Sequence, residues 1–178
     1  MPSPHHISLC PSIAKACVRI GTAELFDSDE NRSQVLLLLE EPSDIHQVWF
    51  ATLKTKQDVG VAMVSRPTTT SRGLPVLNVF VDAEHRHQGI GKALVEAVLE
   101  QHRASDIAAY YTADAVRLYH AHGFPPAEIH FLSKEIDQAY GAGDMDKAAE
   151  LFVEEVVKVR EEMNNSQDER PRRTARFG

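Results

Sequence analysis

Between Val79 and Leu94 the chain reads Val-Phe-Val-Asp-Ala-Glu-His-Arg-His-Gln-Gly-Ile-Gly-Lys-Ala-Leu, which sets Arg86, Lys92 and two glycines in one short turn. Such a turn suits the binding of a phosphate. Gly89 and Gly91 leave the backbone open where a helix would begin, and a helix N-terminus offers unpaired N–H groups and the positive end of the macrodipole. The two glycines alone fit a plain structural turn as well as a phosphate cradle. No Gly-Lys-Ser/Thr follows, so the turn is not a P-loop, and the Gly-x-Gly-x-x-Gly of a dinucleotide fold is absent.

The elements that position the turn are legible on both sides. Ahead of it, Leu74 to Val81 is dense in β-formers and short enough for a buried strand. Behind it, Ile90, Leu94 and Val98, with Val95 and Leu99 beside them, lie at helical spacing. The segment therefore reads as strand, anion-binding turn, helix, with a pyrophosphate as the expected ligand.

Arg86-x-x-Gly89-x-Gly91, preceded by Val79-x-Val81, resembles the acetyl-CoA-binding motif of the GNAT N-acyltransferases, Arg/Gln-x-x-Gly-x-Gly/Ala. A second block, Ala115-Val-Arg-Leu-Tyr119-His-Ala-His-Gly123-Phe124, is similar to that family's Ala-x-x-Leu-Tyr-x-x-x-Gly-Phe segment. The two stand in the family's order with a strand candidate between them, and the resemblance covers roughly Gln47 to Ile136.

This resemblance implies an α/β fold of the GNAT type, a mixed, bent sheet with helices on both faces. It implies transfer of an acetyl group from acetyl-CoA to a primary amine, small molecule or peptide, by direct attack. The backbone of His87, Gln88, Gly89, Ile90, Gly91 and Lys92 would hold the pyrophosphate, with charge added by the Arg86 and Lys92 side chains. Backbone N–H groups near Val79 and Val81 would serve pantetheine and the oxyanion, and Tyr119 would protonate the departing thiolate. A general base is missing. Where relatives carry Glu or His on the strand before the turn, this chain has Pro75 and Leu77, and Asn78 is no base. Glu24, Asp27, His46 or water is left for that task, and Thr112 stands where many relatives have an asparagine. The absent base keeps a second reading alive: a GNAT-fold binding or assembly protein that works through its C-terminal extension.

Composition bounds the answer. At 178 residues, with 43% hydrophobic and 25% charged residues, a single globular domain is expected. A net charge of −7 argues against a non-specific nucleic-acid binder and suits either simple solubility or a cationic partner such as an amine. No apolar run approaches a bilayer span, and the start lacks the pattern of a signal peptide. Cys10 and Cys17, read as two helical turns apart, are too distant to bridge, which fits a reducing, cytoplasmic setting. His-x-His at 85/87 and 120/122 lacks supporting ligands, so no metal site is expected.

Along the chain, the expected elements are a helix over Pro11–Phe26 and a second over Glu30–Glu41. A hairpin of Val48–Thr55 and Val59–Val64 follows, then the Leu74–Val81 strand and the helix after the turn. A strand over Ile107–Tyr111, a helix over Ala113–His122 and a last strand over Ile129–Ile136 complete residues 1–136, the catalytic domain. Residues 137–178 form an extension. In it Met145, Ala148, Ala149, Phe152, Val156, Val159 and Met163 make an apolar stripe, widened by Leu151 and Val153, opposite a charged face. Such a stripe packs on its own domain, on a second copy or in a larger assembly. If Met145–Met163 serves association, truncation after Gly143 leaves a folded, CoA-binding monomer. The polar stretch from Asn164 to Gly178, with four arginines, is expected to be a tail ordered only in that assembly.

Overall fold

The computed structural model describes residues 5–21, 45–67, 71–111, 115–129 and 134–168. Strand β1 (His5–Leu9) and helix α1 (Ile13–Gly21) precede a hairpin of β2 (Ile45–Leu53) and β3 (Asp58–Ser65). Strand β4 (Val76–Val81), a 3-10 turn (Ala83–His85) and helix α2 (Ile90–Leu99) follow. Then come β5 (Ala108–Tyr111), α3 (Val116–Ala121), β6 (Pro126–Ile129), α4 (Lys134–Gly141) and α5 (Met145–Asp168). The six strands form one sheet in sequence order. The first four are antiparallel, and β4, β5 and β6 run parallel. It is a mixed sheet with helices on both faces.

Alternation along the strands gives each face its own core. On one face Trp49, Ala51, Ala62, Val64 and Leu77 pack under α2, through Ile90, Leu94, Val95 and Val98, and against Val116, Tyr119 and Val159. On the other, Val48, Phe50, Val61 and Met63 meet Ala16 and Ile20 of α1. Helix α1 is held there by Arg19, which pairs with the Asp58 carboxylate, donates to Thr52 Oγ1 at 2.9 Å and lies 4.0 Å from the Phe50 ring centroid. Gly60 is the close-approach point of α2 on β3. A Cβ there would stand 3.1 Å from both Ile90 Cγ2 and Leu94 Cδ1.

Several sequence expectations shift. The lead before the first helix is a strand, β1, whose Ile7 and Leu9 alternate with polar residues and which pairs with β2 from His5–Leu53 to Leu9–Trp49. Cys10 falls between that strand and α1, so the two cysteines do not share a helix; both are free thiols. Helix α1 starts later than Pro11, where Ser12 Oγ accepts from the Lys15 N–H at 3.3 Å, an N-cap. The expected Glu30–Glu41 helix lies outside the described residues, as do 22–26 of the first. The last strand is Pro126–Ile129 rather than Ile129–Ile136. Pro126 is tolerated as its first residue, and by Lys134 the chain is helical, with Ile136 packed against the main core.

Helix α5 runs longer than its apolar stripe, to Asp168, so the polar residues 164–168 are helical and 169–178 lie outside the described residues. Val159 is fully buried in the main core and Ala148 is 6% exposed, with Val156 and Met163 partly buried. Arg117 Nε of α3 donates to Glu162 Oε2 of α5 at 2.7 Å. Among the described residues no helix is long and apolar enough to cross a membrane.

Candidate functional site

Strand β4 is paired along its whole length on one side and briefly on the other. With β3 the register runs from Val76–Ser65 to Val81–Gly60. With β5, among the described residues, it stops after Val76–Ala108 and Leu77–Ala109. The Ala108 N–H donates to the Pro75 carbonyl at 2.8 Å, so position 75 points its backbone polar groups towards β5. Alternation carries Leu77, Val79 and Val81 to the same side. The Asp82 N–H donates to the Val59 carbonyl at 3.0 Å, which sets the even positions on the β3 side. The backbone groups of Val79 and Val81 thus face the side where the β5 ladder has ended. The Val81 carbonyl there accepts from Arg86 Nε at 3.1 Å.

The chain after Val81 is tied down before it opens. Asp82 is 1% exposed, and its Oδ2 lies 2.8 Å from His85 Nδ1, an arrangement in which the ring nitrogen donates to the carboxylate. The His85 N–H also donates to the Asp82 carbonyl at 2.9 Å, closing the 3-10 turn. The pair was missed in the sequence. An Asp-x-x-His spacing at the exit of a buried strand was its signal, although the burial of Asp82 is not written there.

His87 at φ 60 and Gly89 at φ 82 then swing the backbone through the left-handed region into α2. At Gly89 a Cβ would meet nothing within 4 Å, so the requirement there is conformational and the space beside it is open. The Gly89 carbonyl accepts the Ala93 N–H at 3.0 Å, the first bond of the helix, and Gly89 supplies no side-chain cap. The N–H groups of Ile90, Gly91 and Lys92 consequently have no intrahelical acceptor. Gln88 caps the turn from outside, its Nε2 donating to the Glu84 carbonyl at 3.2 Å. Lys92 is exposed, with Glu96 3.7 Å from its ammonium.

Gly91 brings the second motif to the first. A Cβ there would lie 3.5 Å from Leu118 Cδ2 and 3.8 Å from Val81 Cγ2, so α3 meets the start of α2 and the end of β4 at one point. Next to Leu118, Tyr119 is 4% exposed and stands edge-on to Phe124 with ring centroids 5.8 Å apart. Gly123 at φ 76 ends α3 and folds Phe124 back, its N–H donating to the Tyr119 carbonyl at 3.2 Å.

Leu77 is fully buried, and Asn78 shares a strand face with Phe80, the face of α1. His46 is exposed on β2, while Glu24, Asp27 and Thr112 lie outside the described residues.

Residues 44–126 match the family model of the acetyltransferase (GNAT) domain. Over 42 residues the chain is 50% identical to human N-acetyltransferase 8, a stretch that makes up 24% of this chain and spans only 18% of that protein. Among solved structures, it is similar to the GNAT family N-acetyltransferase YhbS of Escherichia coli in complex with CoA, with 19% identity, coverage of 70% of this chain and 71% of that one, and a TM-score of 0.49. A second similar structure is the aminoglycoside antibiotic 6'-N-acetyltransferase of Acinetobacter baumannii, with 19% identity, coverage of 73% and 97%, and a TM-score of 0.43. The matched residues run from the start of β2 to the first residue of β6.

Proposed function

We propose that the chain is an N-acetyltransferase that moves an acetyl group from acetyl-CoA to a primary amine by direct attack. The observation that carries this reading is one coincidence. The edge of β4 opens where its ladder with β5 stops, and beside it the turn at His87–Gly89 leads into the uncapped start of α2. An extended thiol arm with amide groups and a pyrophosphate at its far end fits those two features together.

When bound, acetyl-CoA supplies the thioester whose carbonyl a neutral amine attacks. The N–H groups of Ile90, Gly91 and Lys92, with the backbone of His87, Gln88 and Gly89, hold the pyrophosphate. Arg86, held against the Val81 carbonyl, and Lys92 add positive charge there. The N–H groups at Val79 and Val81 pair with pantetheine and with the oxyanion of the tetrahedral intermediate. Tyr119 gives its proton to the leaving thiolate. Neither Pro75 nor Leu77 can accept the proton of the amine, which leaves that task to water or to Glu24, Asp27 or His46. Residues 1–136 carry this chemistry, and 137–178 are the extension, whose helix α5 braces it. Acceptor choice falls to Phe26–Asn31 and Ser65–Gly73, and the amine is a small molecule or a peptide. Cysteine usage favours the cytoplasm.

The test is mass spectrometry of the purified protein for retained CoA, followed by thiol release from acetyl-CoA over a panel of amines. Retained CoA with amine-dependent thiol release is the expected result. CoA binding without release on any amine would replace catalysis by the binding-protein reading, and no affinity for CoA would refute the transferase and leave only an assembly protein that works without CoA.

A further inference from the structure

Helix α5 has a second apolar side that its own domain does not cover. Val159 and Ala148 face the core, whereas Val153 and Val157, on the other side of the helix, are 59% and 49% exposed. Ala149, one turn before Val153, is exposed too. An exposed apolar strip of this length on a helix marks a docking surface.

The order of residues on that side identifies the occupant. Asp146, Ala149, Val153, Val157 and Arg160 follow one another at steps of three and four, so they share one helix face. Their spacing is the same read from either end: Ala149 and Val157 are equally far from Val153, and so are Asp146 and Arg160. The two ends carry opposite charges. Both Asp146 and Arg160 are exposed, and neither makes an ion pair among the described residues, whereas Lys147, Lys158 and Arg117 each stand beside a glutamate.

We infer that this face pairs antiparallel with the same face of a second copy of the chain, about a two-fold axis through Val153. An isologous contact requires a surface that is its own complement. Here Val153 meets Val153 of the second copy, Ala149 meets its Val157, and Asp146 meets its Arg160, with the reciprocal contacts made at the other end. A parallel pairing would instead set Asp146 against Asp146. The apolar part of this face, from Ala149 to Val157, is about 12 Å long at ~1.5 Å per residue, so the dimer is weak and concentration-dependent.

Sedimentation equilibrium of the full chain over a concentration series tests the inference. The chain as it stands should show a monomer–dimer equilibrium. Val153→Glu, which places two carboxylates on the axis, should abolish the dimer while the far-ultraviolet spectrum is kept. Asp146→Arg alone and Arg160→Asp alone should each weaken dimerisation roughly tenfold, because each dimer holds the pair twice. The double variant should restore it, and an equimolar mixture of the two single variants should form a mixed dimer. A wild-type chain that stays monomeric at the highest concentration reached would overturn the inference and assign the strip to a different protein. A dimer indifferent to Val153→Glu, or weakened by neither charge reversal, would overturn it as well.

Discussion

Val159→Ala tests whether the C-terminal helix belongs to the same core as the sheet. Val159 is fully buried among the residues that cover one face of the sheet. The substitution removes two methyl groups at about 0.8 kcal/mol each by transfer, and the cavity that remains adds to that, for about 2–3 kcal/mol in all. In a chain of this size each kcal/mol shifts the melting temperature by about 2–4 °C, so a drop of about 4–12 °C is expected. The matched control is Val157→Ala, which removes the same atoms from a position 49% exposed and should cost less than about 0.5 kcal/mol at high dilution. Urea unfolding suits the measurement because the chain has one tryptophan, Trp49, 2% exposed in the same core cluster. Its fluorescence follows the core while circular dichroism follows the helices, and the two transitions should coincide. If Val159→Ala unfolds at the wild-type midpoint, or helical signal is lost before Trp49 is exposed, α5 is an appendage. Truncation after Gly143 would then leave the folded monomer that the sequence reading allows. On the structure, that truncation removes Val159, Val156 and Met163 from the core together and should leave a chain that does not fold cooperatively.

Three further outcomes are expected. Gly89→Glu should abolish CoA binding measured by calorimetry through like-charge repulsion at the pyrophosphate, whereas Gly89→Asn, which tolerates the left-handed backbone at φ 82, should retain most of it; equal affinity for all three proteins would remove the turn from the cofactor site. Tyr119→Phe should lower turnover by about 10²-fold or more with CoA affinity kept, and wild-type turnover would leave the ring as a packing group against Phe124. Gly60→Ala should destabilise by about 1–3 kcal/mol through overpacking against Ile90, Leu94 and the Phe80 carbonyl, and an unshifted urea midpoint would mean that α2 can lift from β3.

What could be read in the sequence was local. The strand, turn and helix from Val76 to Leu99 are contiguous, and each leaves its own mark: a run of β-formers, paired glycines and an apolar stripe at helical spacing. The end of the β4–β5 ladder leaves no such mark, because its partners, Leu77 and Ala109, stand far apart in the chain; only the family resemblance suggested it. Strand β1 was missed because two histidines and a serine fill a short edge strand that needs few apolar residues. The last strand lies earlier than its β-formers suggest because Pro126, a residue foreign to strand interiors, opens it, and Lys134 already lies in a helix.

The sequence also divides the chain at a point that packing does not respect. Helix α3 has six residues, too few to hold a helical conformation unaided. What fixes it is tertiary. Val116 and Tyr119 enter the core, Leu118 closes on Gly91, and Arg117 on the exposed side bonds Glu162 of α5. Because α5 also delivers Val159 to the same cluster, the orientation of α3 depends on residues more than forty positions further along. The position of Tyr119 relative to the turn at Gly89–Gly91 is therefore set partly by the extension. On the proposed function, a change on α5 that loosens its grip on α3 should lower turnover through Tyr119 before it lowers CoA affinity, since the turn at His87–Gly89 is held separately, by Asp82 on His85 and by Arg86 on Val81.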